Sequence, residues 1–236
     1  MPLTGTRLPH PSPALAHREI PHGGGVLVVV GGDAVPGWVE RWCARSGRDL
    51  RRQLVPNAAP DRVGAIGMIA ASAARAEGAV LALPSSAPAR RGPPRVVVAV
   101  RDLPDDAQAV ADAAASAAQM GAGLVVAHGV PMSFGERSVG LDAALDRARR
   151  LLDAAVDEAA LAAPGVAVEP WLARAQPHEL VGEELDADLL VLGGPRADVP
   201  GRLGLVACSA LHHAPCAVLL VPRPVRSLGT VPTTPN

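Results

Sequence analysis

Short apolar runs bounded by glycine and proline alternate with amphipathic segments of helix length over residues 95–222. Five such runs are typical of buried strands, and four intervening segments keep an apolar stripe at helical spacing. Strands alternating with helices favour parallel pairing, because each connection must cross back over the sheet. The sequence therefore predicts an α/β fold, a doubly wound parallel five-stranded sheet with helices on both faces.

The predicted strands are residues 96–100, 124–128, 166–169, 189–192 and 216–221, and the predicted helices are residues 104–120, 141–159, 177–185 and 204–213. Pro104 suits the first turn of its helix, and Asp105 and Asp106 place carboxylates beside the positive helix end. In sheets of this kind a ligand binds at the carboxyl ends of the strands, so candidate site residues are sought there.

Residues 25–84 repeat the pattern in a smaller β-α-β-α-β block. Its segments are an apolar strand at 26–30, a helix after Pro36, an Arg-rich edge strand or loop at 50–55, a helix after Asp61 and an apolar strand at 79–83. About sixty residues are too few for a complete doubly wound domain. Gly31 and Gly32 could cradle a phosphate, but without a G-x-G-x-x-G pattern an ordinary turn is the preferred interpretation.

Proline-rich segments divide the chain into five predicted parts. These are a disordered leader at 1–24, the small block at 25–84, a linker at 85–94, the main domain at 95–223 and a disordered tail at 224–236.

Composition excludes several classes of protein. The net charge of −1 and the 2% aromatic content argue against a nucleic-acid or membrane partner. All 22 basic residues are arginine, so a Walker A lysine, a Schiff-base lysine and a kinase-type lysine are excluded. Three scattered cysteines fit a reducing compartment, and neither a secretory signal nor a membrane-length apolar run is visible, which predicts a cytoplasmic protein.

Three constellations suggest other chemistry. The spacing of Cys208, His212, His213 and Cys216 supplies enough ligands for zinc, but a structural role is preferred because buried cysteine is commonly a small hydrophobe. Ser209 lies near both histidines but inside a predicted helix, without a Gly-x-Ser-x-Gly elbow. His128 is interpreted as a packed strand-end residue rather than a general base. No catalytic or metal site is predicted.

Several segments together resemble the universal stress protein (UspA) family. They are VVVAV at 96–100, LVVAH at 124–128, AQPHEL at 175–180, ADLLVLG at 187–193 and LHHAPCAVLLV at 211–221, in the order and near the spacing of that family. The resemblance implies a β-α-β-α-β-α-β-α-β domain, often dimeric through its last strand and often present in tandem copies. The block at 25–84 then resembles a shortened, degenerate first copy.

Members of this family that bind ATP carry Gly-x-x-Gly, nine residues, then Gly followed by Ser or Thr. Here Gly193 takes the first glycine position, but Arg196 replaces the second, and Leu205 replaces the hydroxyl residue after Gly204. Seven residues rather than nine separate Arg196 from Gly204, and Arg101 stands where an aspartate normally follows the first strand. If a nucleotide is bound, the resemblance implies contacts from Asp102, Gly129, Leu192, Gly193, Arg196 and Gly204.

Together with the composition and these departures from the ATP-binding motif, the resemblance predicts a cytoplasmic regulator that forms a homodimer, acts through contacts with an unknown protein partner, and has no cofactor and no chemistry of its own. The alternative is a switch or weak ATPase that binds ATP or another adenine nucleotide. A third reading is an enzyme of the wider group of related nucleotide-binding α/β folds.

Overall fold

The computed structural model describes residues 26–30, 34–53, 69, 78–84, 92–131, 140–196 and 203–224. The strands are β1 Val26–Val30, β2 Asp49–Gln53, β3 Ala79–Ala82, β4 Arg95–Ala99, β5 Gly123–Gly129, β6 Val168–Ala173, β7 Leu189–Arg196 and β8 Ala217–Arg223. The helices are α1 Gly37–Ser46, α2 Leu103–Met120, α3 Leu141–Ala162 and α4 Leu205–His213.

The eight strands form one sheet in the order β2-β1-β3-β8-β7-β4-β5-β6. All neighbours pair in parallel except β3 and β8, which are antiparallel. The strands β4 to β8 are the predicted parallel five-stranded sheet. From β4 the chain proceeds to β5 and β6 on one side and then to β7 and β8 on the other, so the topological switch point lies between β4 and β7.

Helices cover both faces of this sheet, as predicted. Val96 and Val98 of β4 belong to the core under α1, α2 and α3, whereas Val97 points into the core under α4. This alternation follows from the two-residue period of a strand. Because both faces are covered, successive residues of the central strands are apolar.

The small N-terminal block is part of the same sheet rather than a separate unit. Val80, Leu81 and Ala82 of β3 pair with Leu220, Leu219 and Val218 of β8. Across the adjoining helices, an Arg48 Nη atom lies 2.7 Å from Asp112 Oδ1, and the Arg48 guanidinium stacks 4.5 Å from the centre of the Trp42 ring. Local sequence patterns carry no information about such a pairing, because its partners lie about 140 residues apart in the chain.

The segment at 50–55, predicted as an edge strand or a loop, contributes to the exposed edge strand β2 up to Gln53, and residues 54 and 55 lie outside the described part of the chain. The predicted helix at 177–185 is wrong, because this segment is a series of turns, closed by hydrogen bonds such as Glu179 N–H to Gln176 O. The strand predicted at 166–169 begins two residues later and continues through Pro170 to Ala173. β6 ends the described sheet, and an edge strand tolerates a proline because one of its sides forms no ladder.

Several predictions lie outside the described residues. These are the leader at 1–24, most of the linker, the tail from 225 onwards, and the helix after Asp61 apart from buried Ile69. Among the residues that the structure describes, no helix is both long enough and apolar enough to span a bilayer.

Candidate functional site at the carboxyl ends of the strands

A cavity of about 220 Å³ lies at the carboxyl ends of β4, β5 and β7, beside the start of α4. It therefore occupies the switch point of the sheet, where α/β proteins bind ligands. Its apolar lining includes Ala99, Ala127, Leu180, Leu192, Val206 and Ala207. The charged residues among its described lining are two arginines, Arg101 and Arg223, and His128 also contributes.

Asp106 organises the polar groups at this edge. Its side chain is fully buried in the first turns of α2, and one oxygen accepts hydrogen bonds from the backbone N–H groups of Arg101 at 2.8 Å and Asp102 at 3.3 Å. The other oxygen accepts a hydrogen bond of 2.8 Å from Arg223 Nε. Backbone N–H groups at a helix start commonly bind anions, and here the chain's own carboxylate takes that role.

Gly193 permits this arrangement. A Cβ atom built on Gly193 would overlap Arg223 Nε and Asp106 Oδ1. The absence of a side chain lets the guanidinium of Arg223 lie directly over the end of β7, within reach of α2. In this structure the requirement for glycine at 193 therefore comes from the ion pair.

The structure brings most of the predicted site residues together. Gly129, Leu192, Gly193 and Gly204 line the cavity. Asp102 immediately precedes α2 and is not among the lining residues, and Arg196 ends β7 with its side chain outside the described part of the chain.

Gly129 has a packing role of its own. A Cβ atom there would lie 3.0 Å from Leu180 Cδ1 and 3.1 Å from the carbonyl oxygen of Ala175. Glycine at 129 thus allows the turn segment after β6 to approach the end of β5.

Asp106 and Arg223 were missing from the predicted site. Asp106 had been assigned only to the helix dipole, and the sequence pattern gave no reason to bury its carboxylate. Arg223 follows an apolar strand next to a proline-containing tail, which carries no site signal. The sequence marks Arg101 only as a replacement for aspartate, yet the residue lines the cavity, and its guanidinium, on a side chain that is 61% exposed, lies 3.4 Å from Asp105.

His128 and Ser209, the other two candidates for chemistry, each form a hydrogen bond with a backbone carbonyl oxygen. His128 Nδ1 lies 2.8 Å from the carbonyl oxygen of Val100, and since that oxygen only accepts, Nδ1 carries the hydrogen. The Ser209 hydroxyl donates to the His178 carbonyl oxygen at 3.2 Å.

Cys208, His212, His213 and Cys216 have the spacing of zinc ligands, although a structural role is the preferred interpretation. Within the described residues, no group of three histidine, cysteine or carboxylate side chains is arranged to hold a metal ion. Cys216 is buried, and burial raises the pKa of its thiol to about 12. The thiol therefore stays protonated near neutral pH, which suits a packed side chain.

Comparison with known proteins points to one family. The model of the universal stress protein family matches residues 93–222. No curated protein matches the chain.

Solved structures similar to this one include a protein of the universal stress protein family from Burkholderia pseudomallei, with 29% identity, covering 54% of this chain and 95% of that one, at a TM-score of 0.43. The universal stress protein from Archaeoglobus fulgidus in complex with dAMP has 23% identity, with 56% and 98% covered and a TM-score of 0.44. A protein from Pseudomonas aeruginosa, described as a putative universal stress protein, has 15% identity, with 86% and 84% covered and a TM-score of 0.45.

Proposed function

The chain belongs to the universal stress protein family, whose model matches more than half of its residues, and we propose that it is a regulator that acts through protein contacts without binding ATP. The observation that carries this proposal is the position of Asp106. Its fully buried carboxylate already holds the two backbone N–H groups at the start of α2 and the Nε of Arg223. A phosphate group would have to displace an internal anion from these donors.

The loop between β7 and α4 supports the same conclusion. Gly193 is covered by the ion pair, and Leu205, at the position where ATP-binding members carry a hydroxyl, is 71% exposed as the first residue of α4. An isobutyl group cannot donate a hydrogen bond to a phosphate. Among the described residues of this segment, neither Gly193 nor Leu205 therefore offers a phosphate the contact that the ATP-binding motif supplies.

The proposal includes a homodimer and an unknown protein partner in the cytoplasm, with no catalytic step. β8 has β3 on one side and β7 on the other, so a second copy cannot add to that strand while β3 is in place. A dimer of this chain therefore uses another surface, such as the edges at β2 or β6 or a helical face. We infer that β3 of the N-terminal block takes the place beside β8 that a second copy would otherwise fill.

The second candidate function is an adenine-nucleotide switch or weak ATPase. The cavity at the switch point favours it, because that position is the usual ligand site of a doubly wound sheet and Arg101, whose side chain is exposed, is one of the lining residues.

Nucleotide retained by the purified full-length chain distinguishes the two. The protein is purified without added nucleotide and denatured by heat, and the supernatant is analysed by ion-pair chromatography against adenine-nucleotide standards. The proposal predicts less than about 0.05 equivalents, because a site with Kd above about 1 mM empties during purification. Close to one equivalent of ATP, ADP or AMP would establish the second candidate instead.

A further inference from the structure

We propose that the cavity at the strand ends binds a small organic monocarboxylate, with a body about the size of one aromatic ring and its carboxylate on the guanidinium groups of Arg223 and Arg101. This inference goes beyond the proposed function because it assigns a ligand class to a site that the regulator itself does not require.

The size of the cavity limits the body of the ligand. A protein cavity of about 150 Å³ holds one benzene molecule, and this cavity measures about 220 Å³. It therefore fits one ring or a branched chain of similar bulk with a short polar substituent. A nucleoside triphosphate is several times larger.

The lining of the cavity favours an apolar body. Ala99 and Ala127 leave room above the ends of β4 and β5, and the side chains of Leu180, Leu192 and Val206 supply the surrounding surface. Specific small-molecule sites combine such an apolar lining with a few convergent polar groups. A wholly polar ligand would lose its hydration here without replacement.

Arg223 is held as a receptor for one anionic group. Its hydrogen bond to Asp106 uses Nε, which leaves the paired terminal nitrogens for a second acceptor. Asp106 is itself fixed by two backbone N–H groups, so the orientation of the guanidinium is set before a ligand arrives. A preorganised guanidinium matches a carboxylate with two parallel hydrogen bonds.

The surrounding charges favour a monoanion over a polyphosphate. Among the described lining residues the charged ones are Arg101 and Arg223, and Asp105 and Asp106, buried in the first turns of α2, are in contact with them. Within this described set, two carboxylates balance the two guanidinium groups. A ligand with one negative charge can pair with the guanidinium groups of Arg101 and Arg223, whereas a ligand with several negative charges would be repelled by the carboxylates of Asp105 and Asp106.

Titration of the full-length chain with sodium benzoate tests the inference, with benzamide as the uncharged analogue of the same shape. Isothermal calorimetry or ligand-detected NMR is expected to give a benzoate Kd on the order of 0.1 to 1 mM, which suits a ligand of this size. Benzamide is expected to bind at least about tenfold more weakly, because it lacks the charge-assisted pair. Equal affinities for the two compounds would overturn the proposal.

Two variants locate the site. Arg101→Gln is expected to weaken benzoate binding by about three- to tenfold. Arg149→Gln is its matched control, because Arg149 is 62% exposed and forms a comparable ion pair with Asp146 on the far helix α3, and it should leave benzoate binding unchanged. Ala207→Leu adds bulk to the cavity wall and should abolish binding while the circular-dichroism spectrum stays native.

Other results would contradict the assignment. Equal effects of the Arg101 and Arg149 substitutions, or full binding by Ala207→Leu, would place benzoate elsewhere. Binding of AMP without binding of benzoate would overturn both this inference and the proposed function. Binding of neither compound would overturn this inference alone.

Discussion

The ion pair between Asp106 and Arg223 should be a principal source of stability at the carboxyl edge of the sheet. Asp106→Asn keeps the shape of the side chain but removes its charge, and the amide offers one acceptor oxygen where the carboxylate offered two. If that oxygen retains the N–H groups of Arg101 and Asp102, the NH₂ group faces the donor Nε of Arg223. One buried donor is then left without an acceptor.

The size of the loss follows from burial. Removing one partner of a buried ion pair costs about 3 to 5 kcal/mol. Arg223 is 17% exposed and Asp106 is fully buried, so we expect the lower end, about 3 kcal/mol. For a chain of this length that corresponds to a fall in Tm of about 6 to 12 °C.

Urea denaturation followed by circular dichroism measures this loss, with an unchanged m-value as the check that the same structure unfolds. Asp146→Asn is the control, because the exposed pair that it breaks contributes about 0 to 1 kcal/mol. A double-mutant cycle with Arg223→Gln isolates the pair itself. A loss below about 1 kcal/mol for Asp106→Asn would refute the assignment of Asp106 as the internal anion.

Three further predictions follow from the packing. Gly129→Ala should destabilise the fold by about 1 to 3 kcal/mol in a urea titration, because the added Cβ meets Leu180 and a backbone oxygen. The control Gly123→Ala should be neutral or stabilising, because no atom lies within 4 Å of its Cβ. Equal effects of the two substitutions would contradict the packing role of Gly129. Leu81→Ala in β3 should reduce the free energy of unfolding by about 2 to 5 kcal/mol, because Leu81 is fully buried. Since β3 and β8 belong to one sheet, this loss should appear as a lower midpoint of a single cooperative thermal transition. A separate early transition in calorimetry would show that the N-terminal block unfolds alone. Burial raises the pKa of Cys216 from 9.0 to about 12, so the stability that depends on the protonated thiol is complete below pH 9.0 and falls as pH rises towards about 12. Cys216→Ala should reduce this alkaline fall in the urea midpoint. An unchanged dependence of the midpoint on pH would contradict the prediction.

Most of the fold could be predicted from the sequence because strand and helix periods are local properties. Residues 96–99 and 124–127 are apolar without interruption, since both faces of their strands are covered, and the structure places them in β4 and β5. The segment at 177–185 was mispredicted because its leucines and valine pack against the sheet from consecutive turns, which imitates a helical stripe.

The site was only partly predictable for a different reason. Gly129, Gly193 and Gly204, which the family resemblance names, all line the cavity. The contact between Asp106 and Arg223 joins residues 117 positions apart, and neither type of residue is distinctive at its place in the chain. The glycine at 193 looked like a remnant of phosphate binding, and the structure gives it a second explanation.

The most direct test of the central claim is a calorimetric titration of the full-length chain with MgATP. We predict no saturable heat up to about 1 mM ATP, because Asp106 already occupies the backbone N–H donors at the start of α2. Saturable binding of one equivalent with a Kd below about 10 µM would contradict it, and would show that the internal carboxylate does not keep nucleotide from this edge of the sheet.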